Sequence, residues 1–383
     1  MSSPDQPSLL YQTHARIHLQ NIRSNIEGIR CAIGEQRKIL IAVKANAYGH
    51  GAVEVARMAE AIGVDWLGIA TVPEGIELRN AGISLPILKF SPAFPEEMQA
   101  AVDNDITLSV CERENSEKLN EIATELGRKI NVHLKIDTGM GRIGVTPQDA
   151  PKFAQYIETE CPNLHLQGVF THLPVSDSAD TTYTQEQITL FAATVDNIQK
   201  RIGRKIELVH CANSGGVLAH PASWFDMVRP GIMIYGFYPS SKMVQSIDLK
   251  PGLSFITRVS FIKKVNAGTT IGYGRTWSAP EDTWIATIPV GYADGFNRLF
   301  SNRGRVLIKG RSYPIVGRVC MDQSMVNLGP QTEICVGDEV ILIGRSGNLE
   351  ISAYEWAEKL NTITYEVICQ INHRVQRLFD PYR

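Results

Sequence analysis

The order of apolar and polar positions changes character partway along the chain. From Asn21 to about Tyr235, short apolar, β-branched runs alternate with stretches whose apolar residues recur every three or four positions. The first are strand signals and the second amphipathic helices, and their alternation predicts a parallel α/β arrangement. The strand runs are Ile39 to Val43, Trp66 to Ala70, Pro86 to Phe90, Ile106 to Val110, Val132 to Ile136, Leu166 to Thr171, Ile206 to Val209 and Phe225 to Arg229. About eight strands is the number a (β/α)8 TIM-like barrel needs. Helices fit between them at Ala52 to Ile62, Glu112 to Leu126 and Thr184 to Ile202. A doubly wound open sheet accommodates the same alternation, but it wants a Gly-rich dinucleotide loop after its first strand, and no GxGxxG stands there.

Beyond about Ser240 the texture becomes β-rich. Short runs at Phe255 to Lys263, Trp284 to Val290, Arg305 to Lys309, Ser312 to Val319 and Glu339 to Ile343 are separated by Gly, Asn, Asp and Pro, with one late helix at Ala353 to Leu360. The polar, turn-prone Pro239 to Lys242 marks the boundary between a barrel domain, residues 1–240, and a mostly β C-terminal domain, residues 241–383. Ala15 to Leu19 alternates like a strand, so the first 15 residues pack either with the barrel or with the C-terminal domain.

At 383 residues the chain is too long for one ordinary core and suits two domains. Its 44% hydrophobic and 20% charged content is that of a soluble globular protein, and a formal charge of -2 implies neither a nucleic-acid nor an acidic-surface partner. Met1 to Ser8 is polar, without the basic start and apolar run of a signal peptide, and no run approaches a membrane span, so the expected location is cytoplasmic. The seven cysteines are scattered, with no CxxC pair, which suggests neither a disulfide framework nor a metal site; most are expected to be buried thiols.

Reactive groups of a barrel lie at the C-terminal ends of its strands. After the first strand comes Lys44, in Ala42-Val43-Lys44-Ala45-Asn46-Ala47-Tyr48-Gly49-His50-Gly51. Its apolar flank favours the neutral amine that attacks a carbonyl, the small residues allow close approach, and Tyr48 offers a hydroxyl to an anion. A surface lysine leaving a strand into a glycine turn explains the same residues. After the fifth strand stands Lys135-Ile136-Asp137-Thr138-Gly139-Met140-Gly141-Arg142, after the sixth Thr171-His172, after the seventh His210 to Gly216, and at the eighth Arg229-Pro230-Gly231-Ile232. Asn213-Ser214-Gly215-Gly216 opens a helix, and with Gly231-Ile232 it supplies backbone amides and a hydroxyl suited to a phosphate; an ordinary N-cap with a glycine turn fits each stretch equally.

The ten residues AVKANAYGHG resemble the cofactor-lysine motif of the alanine racemases, pyridoxal 5′-phosphate (PLP) enzymes with a barrel fold, and further matches span nearly the whole chain. The resemblance implies that Lys44 carries PLP as a Schiff base, and that Tyr48, Ser214, Ile232 and Tyr365, with Asn213 and Gly231, hold its phosphate. It places Arg229 at the pyridine nitrogen, His210 as that arginine's support, and His172 by the ring. A guanidinium hardly yields its proton, so the nitrogen stays unprotonated and the weaker electron sink favours racemisation over transamination. Arg142 matches an arginine near the cofactor oxygen and substrate carboxylate. Lys135 matches a lysine that some relatives carry as a carbamate; an unmodified lysine paired with a carboxylate is the alternative.

Racemisation needs a base on each face of a planar carbanion. Ile271-Gly272-Tyr273-Gly274-Arg275-Thr276 matches the segment whose tyrosine is the second base, although alone a Gly-Tyr-Gly turn is a packing tyrosine. Gly291-Tyr292-Ala293-Asp294 and Cys320-Met321-Asp322 match two further signatures, with Tyr292 and Met321 bordering the substrate pocket, while Asp177, Arg298, Arg318 and Ile363 match an entrance corridor. The implied protein is an isomerase that interconverts L- and D-alanine through an external aldimine, supplies D-alanine for peptidoglycan, and forms a homodimer with shared sites. Alternatives are a serine or broad-specificity racemase and a non-catalytic PLP-binding protein; Cys320-Met321-Asp322 argues against a decarboxylase of this barrel type. Leu173 to Asp177 and Cys211 depart from the family pattern, which bears on substrate range and rate.

Overall fold

The computed structural model describes residues 9–240 and 242–380, so the polar start Met1 to Ser8 and Ser241 of the turn-prone boundary lie outside it. The chain divides into two compact units, Leu19–Lys250 and the stretch through His18 together with Pro251 onward. With the first strand, His14–Ile17, labelled β1, the larger unit is built on β2 (Lys38–Ala42), β3 (Trp66–Ile69), β4 (Ile87–Lys89), β5 (Ile106–Val110), β6 (Ile130–Lys135), β7 (Leu164–Phe170), β8 (Leu208–His210) and β9 (Met227–Val228). These eight are parallel, and β2 pairs with both β3 and β9, so the sheet curls round on itself. Between β8 and β9 the ring is joined by irregular bonds: Asp226 N–H donates to the Val209 carbonyl at 3.1 Å, and its carboxylate accepts Val209 N–H at 2.9 Å. The predicted TIM-like barrel is present, with each predicted strand displaced by at most two residues at an end.

Both faces of the barrel strands are covered, which is why their sequences read as apolar runs: Ile39, Leu40, Ile41 and Ala42 are all buried. The outer helices bury one stripe each, as Leu19–Ile33 does with Ile22, Ile26, Ile29 and Ile33. The chain leaves this unit after Lys250, beyond the turn-prone residues near Ser240. Asn25 explains why. Its Nδ2 donates to the carbonyls of Ile234 (3.0 Å) and Lys250 (2.9 Å), and its Oδ1 accepts Lys250 N–H at 2.8 Å. Ile247 lies against Gly28, where a Cβ would come within 3.0 Å of it.

In the second unit β1 lies antiparallel to Leu253–Arg258 and parallel to Gln376–Phe379. The run Phe255 to Lys263, predicted as one strand, is two. Leu253–Arg258 joins Glu339–Ser346, whereas Phe261–Val265 joins Thr283–Ile288. Ser324–Gly329 was not predicted, because its burial alternates but its sequence does not: polar Ser324 is buried with Val326 and Leu328, while apolar Met325 is on the half-buried face with Asn327 and Gly329. Helix Ala353–Leu360 appears as predicted, started by Ser352 Oγ accepting Glu355 N–H at 3.2 Å.

The cysteines are free thiols, but only Cys161 and Cys211 are buried, contrary to expectation. Cys31, for example, falls off the buried stripe of Leu19–Ile33 and faces outward. Among the described residues no helix is long and apolar enough to cross a membrane.

Candidate active site

The lysine segment folds in a way its sequence does not announce. After β2, Lys44–Tyr48 winds as a left-handed turn, with φ of 51°, 53°, 53° and 52° at Ala45, Asn46, Ala47 and Tyr48. For residues with a Cβ this conformation costs about 1–2 kcal/mol each. Hydrogen bonds offset it: Ala47 N–H to the Val43 carbonyl (2.7 Å), Gly49 N–H to Ala45 (3.0 Å) and Gly51 N–H to Asn46 (3.0 Å). Glu74, from helix Val72–Asn80, accepts Ala45 N–H at 2.7 Å, and the Asn46 side chain accepts Ala52 N–H at 2.8 Å. Strain held in place by outside partners is characteristic of functional sites. The half-buried Lys44 is thereby fixed beyond the strand end, its Nζ 5.7 Å from the Tyr48 ring centre.

Two loops that are remote in sequence meet near Tyr48. Ser214 Oγ accepts the N–H of Gly231 at 2.9 Å and that of Met233 at 3.4 Å, tying the loop after β8 to the loop after β9. A Cβ at Gly231 would come within 2.8 Å of the Tyr48 hydroxyl. Tyr48, Ser214 and Gly231 thus line one polar cradle that only glycine leaves open, and Ile232 beside them is fully buried. Asn213 caps the helix Ser214–Ala219: its Oδ1 accepts Gly216 N–H (3.0 Å) and the Ser176 hydroxyl (2.7 Å), while its Nδ2 donates to the Leu173 carbonyl (3.0 Å). Its side chain shapes the loop.

Arg229 follows β9 and is buried. Its Nη1 lies 2.9 Å from His210 Nδ1, and its Nη2 donates to the carbonyls of Thr171 (2.6 Å) and Cys211 (3.2 Å). Burial lowers its pKa to about 10, so it is still a cation at neutral pH. Phe170 stacks parallel to His210, 4.9 Å between centres and 2° apart, and lies beneath the Arg229 guanidinium at 5.4 Å.

Lys135, the last residue of β6, is buried with its Nζ 4.7 Å from the Phe170 ring centre and no hydrogen-bond partner among the described residues. Burial, then the Arg229 and Arg142 charges, lower its pKa to about 7. Asp137 accepts the N–H groups of Gly139 (2.9 Å), Gly141 (3.1 Å) and Arg142 (3.2 Å), which folds the loop that presents the exposed Arg142. His172 is held well below its ordinary pKa, by burial first and then by the charges of Arg229, Lys135, Arg142 and Lys44. Those four charged residues come from the ends of three strands, β2, β6 and β9, and act on one imidazole, so the structure gathers them in one place.

These groups fit PLP. The cradle supplies a hydroxyl, a phenol and backbone amides for a phosphate, Arg229 supplies a permanent donor, and the unpartnered Lys135 Nζ marks a polar spot that the protein alone does not satisfy. Sequence reading missed Phe170, Glu74 and His133. The last had a signal: it stands two residues before Lys135 on one strand and so faces the same side.

Of the remaining predicted residues, Asp177 lies in the barrel unit, between β7 and helix Thr182–Ile202, and the others belong to the second unit. Tyr273 opens a short 3-10 turn between Gly272 (φ 74°) and Gly274 (φ 71°), where added Cβ atoms would crowd the Arg318 main chain (3.2 Å) and guanidinium (3.0 Å). Tyr292 N–H donates to the Cys320 carbonyl (3.1 Å) and Ala293 N–H to that of Met321 (3.1 Å), so those two signatures are neighbours. Tyr365 is half-buried in helix Thr364–Cys369. Tyr273, Tyr292, Met321 and Ile363 are 73%, 44%, 53% and 58% exposed, high values for apolar and aromatic side chains.

Residues 17–239 match the family model for the alanine racemase N-terminal domain, and residues 253–379 match the model for the alanine racemase C-terminal domain. The chain is 47% identical to an alanine racemase of Cutibacterium acnes over 95% of its own length and 97% of the relative's. It is similar to the solved alanine racemase of Clostridium difficile, with a TM-score of 0.93 at 40% identity, covering 97% of both chains. It is also similar to that of Bacillus anthracis, solved with bound L-Ala-P, at a TM-score of 0.92 and 36% identity over 98% of this chain and 96% of the other. With both domains matched and nearly the full length covered, the chain belongs to the alanine racemase family.

Proposed function

We propose that this protein is an alanine racemase that interconverts L- and D-alanine by a two-base mechanism, in the cytoplasm, supplying D-alanine for peptidoglycan. The observation that carries the reading is the convergence of Lys44, Lys135, Arg142 and Arg229 on His172, beside a glycine-lined cradle. Bound to Lys44, PLP supplies the electron sink that acidifies the substrate Cα–H. Tyr48, Ser214, Gly231 and Ile232 would hold its phosphate, Tyr365 being added on the family resemblance alone, and Asn213 shapes the loop that bears Ser214. Arg229, charged at neutral pH, would donate to the pyridine nitrogen and keep a proton off it. His172, held neutral by burial and the neighbouring cations, would lie by the ring without adding charge.

Lys44 Nζ takes or returns the Cα proton on one face, and the Tyr273 hydroxyl does so on the other. Arg142 pairs with the substrate carboxylate, with Tyr292 and Met321 bounding a pocket for a small side chain. Lys135 is placed to become a carbamate. With its pKa near 7, a large share of the amine is neutral and attacks carbon dioxide, forming an N–C bond and releasing one proton; the anion then pairs with Arg142.

The catalytic unit is a homodimer, head to tail, in which Tyr273, Tyr292 and Met321 of one chain complete the site around Lys44 of the other. Their high exposure within their own unit supports that reading. The test is a visible absorbance band from bound PLP, lost in Lys44→Ala, together with turnover of L-alanine against L-serine. Lack of the band defeats the cofactor assignment, and equal turnover of serine makes the enzyme a broad-specificity racemase.

A further inference from the structure

The Arg229 to His210 hydrogen bond does not end at His210. His210 Nε2 lies 2.9 Å from His133 Nδ1, and His133 Nε2 lies 3.4 Å from Gln167 Oε1. Both imidazoles are fully buried. A guanidinium has donors only, so the direction of the whole row is fixed from its inner end. Arg229 donates to His210 Nδ1, which puts the His210 proton on Nε2. That proton points at His133 Nδ1, which must accept it, so the His133 proton is on Nε2 and goes to Gln167 Oε1. Both rings are neutral in this row, in keeping with burial, which lowers the pKa of His133 to about 4 and that of His210 well below its ordinary value.

We propose that His133 is a positioning residue for racemisation: by accepting the His210 Nε2 proton, it locks His210 in the tautomer that receives Arg229. This rests on the reading of Arg229 as the partner of the pyridine nitrogen. The two carbonyl bonds of the guanidinium, to Thr171 and Cys211, are both on Nη2, and His210 anchors Nη1. Without an acceptor at His133, the buried His210 Nε2–H loses its partner. The alternative tautomer regains nothing, because it sets Nδ1–H against the Arg229 donor. His133 itself is seated tightly. A Cβ at Gly168 would come within 2.6 Å of its Nδ1, and the Trp66 ring lies 5.4 Å from its centre. Gln167, half-exposed on β7, closes the row. A row of bonds polarised in one direction is stronger than its separate links.

Nitrogen-15 NMR of histidine-labelled, cofactor-free protein reads the tautomers without any turnover. His210 and His133 should both appear as neutral Nε2–H forms, and an Nδ1–H or imidazolium signature from His210 overturns the proposal. His133→Leu removes the acceptor, whereas the Oδ1 of His133→Asn can replace Nδ1. In the holoenzyme, with folding checked by thermal melting, His133→Leu should lower kcat about tenfold with KM changed by less than about twofold, and shift the bound-cofactor absorbance. His133→Asn should recover to within about threefold of the parent. Parental turnover in a folded His133→Leu protein, or no rescue by Asn, overturns the positioning role. Should His133→Leu fail to fold, Gln167→Leu, which keeps both imidazoles, is expected to shift the absorbance in the same direction by less; no shift overturns the proposal. If the parent binds no PLP, the tautomers still stand and the reading of the site falls, taking the positioning role with it.

Discussion

The barrel and the β-rich unit present their candidate residues in opposite ways. In the barrel the groups are enclosed before any ligand arrives: Lys135, His210 and Arg229 are buried, and the loops after β8 and β9 are joined through Ser214. In the β-rich unit Tyr273, Met321 and Ile363 are more than half exposed. Burial tunes charge, which is why the large burial-driven pKa shifts, those of His133, Lys135, His172, His210 and Arg229 among them, gather in the barrel. Exposure leaves a side chain ready to be covered by another surface. The comparison teaches that one unit supplies a largely buried electrostatic environment, whereas the other leaves its groups open to be covered by another surface, as the proposed dimer requires.

The largest effect that sharpens this contrast is at Lys44. Lys44→Ala should reduce racemisation below about a thousandth of the parent, since it removes both the proposed covalent link to the cofactor and one of the two proposed bases; PLP absorbance and a coupled D-alanine assay check it. Association is tested next by mixing inactive Lys44→Ala and Tyr273→Ala proteins under subunit exchange. Half the dimers become mixed, each with one intact site, so activity should return to roughly a quarter of the parent. Verified exchange without recovery breaks the comparison, because it would mean that each site is built within one chain.

Tyr273→Phe should bind PLP normally yet lose proton exchange from one alanine enantiomer by about a hundredfold more than from the other. Deuterium incorporation followed by NMR measures this, and equal losses would refute the division of faces. Within the barrel, Gly231→Ala places a methyl against the Tyr48 hydroxyl and should weaken PLP binding about tenfold. Retained affinity in a PLP titration would remove the cradle from the phosphate site.

The smallest effect concerns Lys135 in carbon dioxide-free buffer. Its folded pKa, near 7, lies below the ordinary lysine value, so the unfolded chain binds more protons between about pH 7 and 10.5. The destabilisation is therefore fully present below pH 7 and is relieved as pH rises towards 10.5. Lys135→Met should stabilise the protein at pH 6 by a few kcal/mol, on the order of 1–3, more than at pH 10. Urea unfolding at the two pH values checks it, and a pH-independent difference would show that Lys135 is not buried as a poor cation.

Much of this was legible in the residues alone. Apolar runs announced each barrel strand, and the position of a residue at or just after the end of a run placed Lys44, Lys135, His172, His210 and Arg229 at one end of the barrel. What period and position cannot carry is distance between remote loops. That Ser214 meets Gly231, and that His133 continues the Arg229 to His210 bond, follows from the curled sheet, which brings β8 next to β9 and leaves only β7 between β6 and β8, although these residues are far apart in sequence. The left-handed turn at Ala45 to Tyr48 was hidden for another reason. Alanine and asparagine do not by themselves select positive φ, and the conformation is imposed by Glu74 and the surrounding hydrogen bonds. Likewise, which thiols are buried was decided by packing: the two buried ones, Cys161 and Cys211, lie just beyond a helix and a strand rather than on an apolar stripe. The sequence determined the elements and the chemistry at their ends; tertiary packing decided burial, and with it the charge state on which that chemistry depends.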